Sequence, residues 1–252
     1  MTKHDPFYAE RPLNIAHRGA RDVAPENTLA AFGAAIAAGA DGIELDVSRC
    51  ATSEIVVIHD DTLDRTTNGA GRVSETPYAR LRELDAGSFF DATFAGERIP
   101  TLEETLDRVA GRIRVNIEIK PVGPRANGIE REVVEMVRAH GMMDEVIISS
   151  FDPYVLGRTR RVAPDMPLGA LYGSGPSALA MHVWCWLTGY PDALHPHQGL
   201  VTPRMMARAR RRGCHVNVWT VNERAEMERL IALGVDAIIT DHPALLRQVL
   251  MG

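Results

Sequence analysis

Gly42-Ile43-Glu44-Leu45-Asp46-Val47 is the stretch on which the reading of the fold turns. Side chains alternate across a strand, so Ile43, Leu45 and Val47 share one face while Glu44 and Asp46 share the other. Residues 115–120 repeat the design, with Val115, Ile117 and Ile119 on one face and Asn116, Glu118 and Lys120 on the other. A parallel barrel offers such strands an apolar coat of helices outside and a lumen inside. Lumens normally hold branched apolar side chains, and carboxylates gathered there are costly unless a cation or a proton stabilises them. The competing interpretation is an edge strand with a solvated face. Strict alternation occurring twice in a parallel setting argues against it.

Working outward, β-branched runs recur at 13–17, 42–47, 115–120, 146–149, 168–171, 193–195, 215–221 and 237–240. Helix-like stretches follow them at 27–38, 101–110, 129–140, 152–162, 176–187, 203–212, 223–233 and 243–250. Strict alternation of strand and helix predicts a parallel sheet, and closure into a TIM (β/α)8 barrel is the simplest architecture at 252 residues. An open doubly wound sheet is the alternative. Asn27 is expected to cap the first helix, Pro203 and Pro243 to sit in first turns, and Gly39, Gly141, Gly213 and Gly234 to end helices. After a further strand piece at 55–59, the chain runs to Pro100 without a barrel unit. A loop this long in a compact domain is usually functional or a small subdomain. The expectation is one domain, 1–252, carrying an insertion at 60–100 after the second strand, at the C-terminal mouth.

Hydrophobic residues make up 45% of the chain and charged residues 24%, the profile of a globular domain with a sizeable core. The net charge of −5 offers no general attraction to nucleic acid. No stretch approaches the ~20 apolar residues of a bilayer span, so stable membrane insertion is not expected. Cys50, Cys185 and Cys214 form no pair and no zinc spacing, and the first residues carry no apolar leader run, which together point to a cytoplasmic protein. A homo-oligomer is left open.

Glu44, Asp46 and Glu118 project toward one point, and three carboxylates with no softer ligand suit a hard divalent cation, Mg²⁺ or Ca²⁺. His17-Arg18-Gly19 ends the first strand, placing an acid–base group beside an anion-binding one. His59 follows the strand piece at 55–59. Either histidine alone reads as a hydrogen-bonded core residue. Together with the carboxylates they read as a two-sided acid–base site.

His17-Arg18-Gly19 with Pro25-Glu26-Asn27-Thr28, Glu44-Leu45-Asp46, His59-Asp60 with Leu63-Asp64-Arg65-Thr66-Thr67, and Glu118-Ile119-Lys120 resemble the glycerophosphodiester phosphodiesterase family, in its cytosolic bacterial form. The likeness continues through Ser149-Ser150-Phe151, Trp219-Thr220-Val221-Asn222, Gly234-Val235-Asp236 and Thr240-Asp241. It implies that Glu44, Asp46 and Glu118 hold the metal and that His17 and His59 are the catalytic pair. It further implies that Arg18 and Lys120 hold the phosphate, and that Trp219 lines the pocket against the glycerol or alcohol portion. The implied reaction is hydrolysis of a small glycerophosphodiester, such as glycerophosphocholine or glycerophosphoethanolamine, to glycerol 3-phosphate and an alcohol. One departure is Cys50-Ala51-Thr52-Ser53-Glu54, where many relatives have a Lys-Asp-Gly-type turn. Competing functions are a lysophospholipid-cleaving relative and a barrel that only binds phosphate esters.

Other features are read as structural. The cluster Arg204, Arg208, Arg210, Arg211 and Arg212 is a solvated helix face, and Met181 to Leu187 is packing surface. His195 divides between substrate contact and structural hydrogen bonding, and Asp241-His242 is expected to cap the last helix.

Overall fold

The computed structural model describes residues 6–8, 12–121, 127–175, 181, 183–185 and 191–252. Its strands are β1 (Leu13–His17), β2 (Gly42–Arg49), β3 (Ile55–Val57), β4 (Arg114–Ile119), β5 (Val146–Ser150), β6 (Leu168–Tyr172), β7 (Ala193–Pro196), β8 (His215–Val218) and β9 (Ala237–Thr240). All except β3 pair in parallel, and β1 closes the ring by pairing with both β2 and β9. The result is the expected eight-stranded TIM barrel. The sequence carries its seventh barrel strand, which is β8 here, as far as residue 221. It stops at Val218, and Trp219 carries the ladder on only as a single bridge to His197.

The outer face of the ring is apolar. Ile43, Leu45, Val47, Val115, Ile117 and Ile119 are fully buried in one cluster with Phe32, Leu102, Leu106, Val133 and Val137 from the surrounding helices. Burying a side chain of this kind is worth about 1.5–3 kcal/mol, and that term holds the helical coat to the strands. The helices are α1 (Leu29–Ala37), α2 (Tyr78–Leu81), α3 (Leu102–Val109), α4 (Ile129–Ala139), α5 (Pro153–Val162), α6 (Pro203–Arg212), α7 (Arg224–Leu233) and α8 (Pro243–Met251). Thr101 and Glu104 form a reciprocal capping box at α3, and Pro203 and Pro243 occupy first turns as expected. The helix expected at 176–187 falls mostly outside the described residues.

Two helix starts differ from expectation. Thr28, not Asn27, caps α1 by accepting from the Ala31 amide. Asn27 is held at φ 57°, and its side chain is spent on Asp46 instead. Asp241-His242 does not cap α8, whose start has no side-chain cap, because Asp241 is bonded elsewhere.

Inside the ring, inward-facing Leu13, Ile15, Ile147 and Ile239 pack with Phe7 and Tyr8 to fill the floor. Tyr8 stacks on His215 at 3.8 Å, and Asn217 donates to its hydroxyl at 2.6 Å. Above this sits His195, fully buried, accepting from Asn217. Gly169 makes room for it, since a Cβ there would fall 2.3 Å from the imidazole.

β1 leaves β2 after the His17–Glu44 pair, and antiparallel β3 takes over along the same edge at Val47. The chain then runs from Ile58 to Thr101 with little regular structure. It has its own apolar cluster around Ile58, Leu63, Val73, Leu81, Leu84 and Ile99. The turn at 50–54 puts Ser53 in the left-handed region at φ 85°.

Candidate active site

Every residue singled out from the sequence for chemistry comes to the C-terminal mouth of the ring, though by different routes. β2 delivers Glu44 and Asp46 and β4 delivers Glu118, with Asp46 directly opposite Glu118 in register. All three are buried, and each offers an oxygen such that the three lie within 4.8 Å of one another. Lys120 Nζ lies 2.6 Å from Asp46 Oδ1 and 3.0 Å from Glu118 Oε1. From the other side, Asn27 donates to Asp46 Oδ2 at 2.9 Å, and Arg18 Nε stands 3.4 Å from the same atom.

Arg18 occupies the left-handed region at φ 56°, and its backbone N–H donates to Glu44 Oε2. Gly19 follows at φ 85°, where a Cβ would meet Ala31 at 2.6 Å. The turn is thus bent tightly against α1, and strain of this kind costs about 1–3 kcal/mol.

The electrostatics of the three carboxyls are unequal. Burial, and then the charges of Asp46 and Glu118, push Glu44 well above the ordinary range. Burial and then Asp46 push Glu118 up to about 7. Burial opposes ionisation of Asp46 as well, but Lys120 and then Arg18 overcome it and hold that group well below the usual range. The cluster therefore has one firmly ionised member and two that resist ionising beside it. A positive ion among these oxygens removes that resistance, and hard carboxylate donors fit Mg²⁺ or Ca²⁺.

His17 and His59 flank the cluster, and each has an acidic partner. His17 Nδ1 lies 2.6 Å from Asp241 Oδ1, and Asn222 fixes that carboxylate by donating to its other oxygen at 2.8 Å. His59 Nδ1 lies 2.6 Å from Asp60 Oδ1. A carboxylate can only accept here, so Nδ1 carries the proton in both rings and Nε2 is left for the site. Burial lowers His17 below its ordinary value although the Asp241 hydrogen bond pulls upward. Burial likewise lowers His59, against the charge of Asp46.

His17, Arg18, Glu44, His59, Glu118 and Trp219 border one cavity of about 180 Å³, with Phe151 and Leu171 on its apolar side. Trp219 meets Phe151 edge-on at 5.4 Å and donates its indole N–H to the His195 carbonyl at 2.8 Å. Trp219 therefore both packs the mouth and lines the cavity. His195 does not reach it: burial lowers its pKa to about 3, and it serves the lumen. A larger space of about 490 Å³ lies outside the ring between Tyr172, Leu194, Met205 and Arg208. Among its described lining residues there is no carboxylate and no histidine, so it offers none of this chemistry.

Asn27, Asp60, Arg65, Asn222 and Asp241 hold the site in place, yet sequence reasoning gave none of them that task. Their visible signal is membership of the family-like motifs quoted above, which contain all five but do not say what each one holds.

Comparison with known proteins agrees with this geometry. Residues 17–245 match the model of the Glycerophosphoryl diester phosphodiesterase family. A glycerophosphodiester phosphodiesterase of Caldanaerobacter subterraneus subsp. tengcongensis is 41% identical over 237 residues, covering 92% of this chain and 95% of that protein. Among solved structures, an Oleispira antarctica phosphodiesterase in complex with its product sn-glycerol-3-phosphate superposes with a TM-score of 0.84 at 31% identity, covering 96% of this chain and 97% of that one. A putative glycerophosphoryl diester phosphodiesterase from Silicibacter pomeroyi gives 0.85 at 30% identity, covering 98% and 96%. The chain belongs to the glycerophosphodiester phosphodiesterase family, and it is a phosphoric diester hydrolase.

Proposed function

We propose that the chain hydrolyses small glycerophosphodiesters, such as glycerophosphocholine or glycerophosphoethanolamine, to glycerol 3-phosphate and an alcohol, by acid–base catalysis at a divalent-cation site. The observation that carries this reading is the buried trio Glu44, Asp46 and Glu118, set between two histidines that each lean on a carboxylate. The glycerol 3-phosphate bound by the Oleispira phosphodiesterase supports the product assignment.

Glu44, Asp46 and Glu118 hold Mg²⁺ or Ca²⁺. When bound, the ion supplies Lewis-acid chemistry, polarising a phosphoryl oxygen and lowering the pKa of the attacking hydroxyl. Arg18 and Lys120 neutralise phosphate charge, where phosphoryl transfer most needs help. His17, the less exposed ring at 14% against 34%, takes the proton from the nucleophile through Nε2. His59, in its doubly protonated form with Nδ1–H held on Asp60, gives its Nε2 proton to the departing alkoxide and regains one from solvent between turnovers. Trp219 and Phe151 cover the glycerol portion. The whole chain, 1–252, works as one domain, with the insertion at 60–100 adding its first residues to the mouth. Three free buried cysteines suit the reducing cytoplasm.

Leaving-group dependence tests the division of labour. With choline as leaving group, His17→Ala and His59→Ala both lose most of their turnover. With a 4-nitrophenyl leaving group, which needs no proton, His59→Ala recovers and His17→Ala does not. The reverse pattern would exchange the two roles, and full activity of both variants would remove histidine catalysis.

A further inference from the structure

We propose that Glu26 is a positioning residue that couples His17 and His59, a role that rests on their being the catalytic pair. A chain of ion pairs runs from one imidazole to the other, with this carboxylate at its centre. On the first side, His17 Nδ1 meets Asp241 at 2.6 Å, and Arg21 lies 3.7 Å from Asp241 and 3.1 Å from Glu26. On the second, His59 Nδ1 meets Asp60 at 2.6 Å. Arg65 grips Asp60 at 2.6 and 3.1 Å and Glu26 at 2.8 and 3.0 Å. A third guanidinium, Arg18, donates to Glu26 at 2.8 Å while standing 3.4 Å from Asp46.

The arrangement answers a positional problem. β1, which carries His17, and β3, which leads to His59, do not pair with each other; both pair with β2, which sets where their ends lie but not how the two rings are oriented. General acid and general base must nevertheless address one phosphate from fixed positions. Two-point guanidinium–carboxylate contacts set planes as well as distances. Through them Arg65 fixes Asp60 and so the His59 ring, while Arg21 bears on Asp241 and so on the His17 ring. Glu26 is only 5% exposed, and burial alone would raise its pKa. Arg65, followed by Arg18 and Arg21, reverses that and lowers it to about 2, so the central anion persists at neutral pH.

A plain tether between loops would affect stability without acting through the imidazoles. The discriminating experiment combines steady-state kinetics on glycerophosphocholine with imidazole ¹⁵N spectra of the full chain in Mg²⁺ buffer, for wild type, Glu26→Gln, Glu26→Asp, Arg21→Met and Arg65→Met. Glu26→Gln should lose roughly 10- to 100-fold in kcat, as loss of an orienting partner typically does. Its KM should stay within about twofold of wild type, and both imidazole signals should shift. Arg65→Met should move only the His59 signal, and Arg21→Met only that of His17. Glu26→Asp, which keeps the charge on a shorter arm, should recover part of kcat. If Glu26→Gln does not fold, the two arginine variants, both at partly exposed positions, still decide the matter. Wild-type kcat in Glu26→Gln, or imidazole signals that ignore all of these changes, would overturn the proposal. A wild-type protein inactive on every diester, with the imidazole pattern as described, would instead count against the assigned reaction.

Discussion

At the floor of the barrel, Tyr8 stacks on His215, and His215 Nδ1 lies 2.9 Å from Asp236. At the mouth, built from the same ring, Glu44, Asp46 and Glu118 crowd within 4.8 Å, and two of them resist ionising. The floor joins apolar packing to the hydrogen bond between His215 and Asp236 and so adds to stability. The mouth gathers like charges whose mutual repulsion works against the folded state, a conflict expected where a site, not a core, is being built. The scaffold keeps the two tasks apart along the barrel axis, so changes at either end should separate stability from turnover.

The largest expected effect is at the mouth. Glu118→Gln should lower turnover by on the order of 10³-fold or more, while its melting temperature holds or rises, because a carboxyl that resists ionising has been made neutral. Wild-type turnover, or a marked loss of stability, would break the comparison. At the floor the signs reverse. Ile147→Ala should cost about 2–5 kcal/mol in urea unfolding, as large-to-small core changes do, with kcat per folded molecule unchanged. A substantial kcat loss there would mean that floor and mouth are coupled.

Acid unfolding sharpens the contrast further. Glu26 has a folded pKa of about 2 against an ordinary 4.5. Its ionised form is therefore favoured by folding, and the stability it adds is present above pH 4.5 and lost as pH falls toward 2. A depression of that size is worth about 3 kcal/mol. The stability gap between wild type and Glu26→Gln should accordingly be wide at pH 6 and shrink steadily between pH 4.5 and 2. A gap independent of pH would contradict it. The smallest effect is expected at the turn after β2. Ser53→Gly should relieve its φ of 85° and raise stability by about 0.5–1 kcal/mol, with activity untouched, as read by thermal melting.

The barrel was legible because its strands state their two faces locally. In 42–47 and 115–120 alternation separates apolar from polar residues within six positions, and the metal-binding candidates lie inside those same stretches. What escaped were residues whose partners are remote. Asn27 has the local pattern of a helix cap, but Asp46, 19 residues on, takes its side chain and Thr28 caps in its place. Asp241 likewise stands where a cap for the last helix would be, yet it serves His17 across 224 residues. Arg65 meets Glu26 across 39 residues and through an irregular loop. Short-range propensity competes poorly with a buried, charge-assisted bond, and nothing in local spacing reveals which residues the ring will bring together.

Release of glycerol 3-phosphate tests the central claim most directly. The protein would be treated with EDTA, then assayed on glycerophosphocholine and glycerophosphoethanolamine before and after Mg²⁺ or Ca²⁺ is returned. The account predicts no release after chelation, restored release with one of these ions, and no restoration in Glu118→Gln. Full release from the chelated protein, or none with either ion and either substrate, would contradict it.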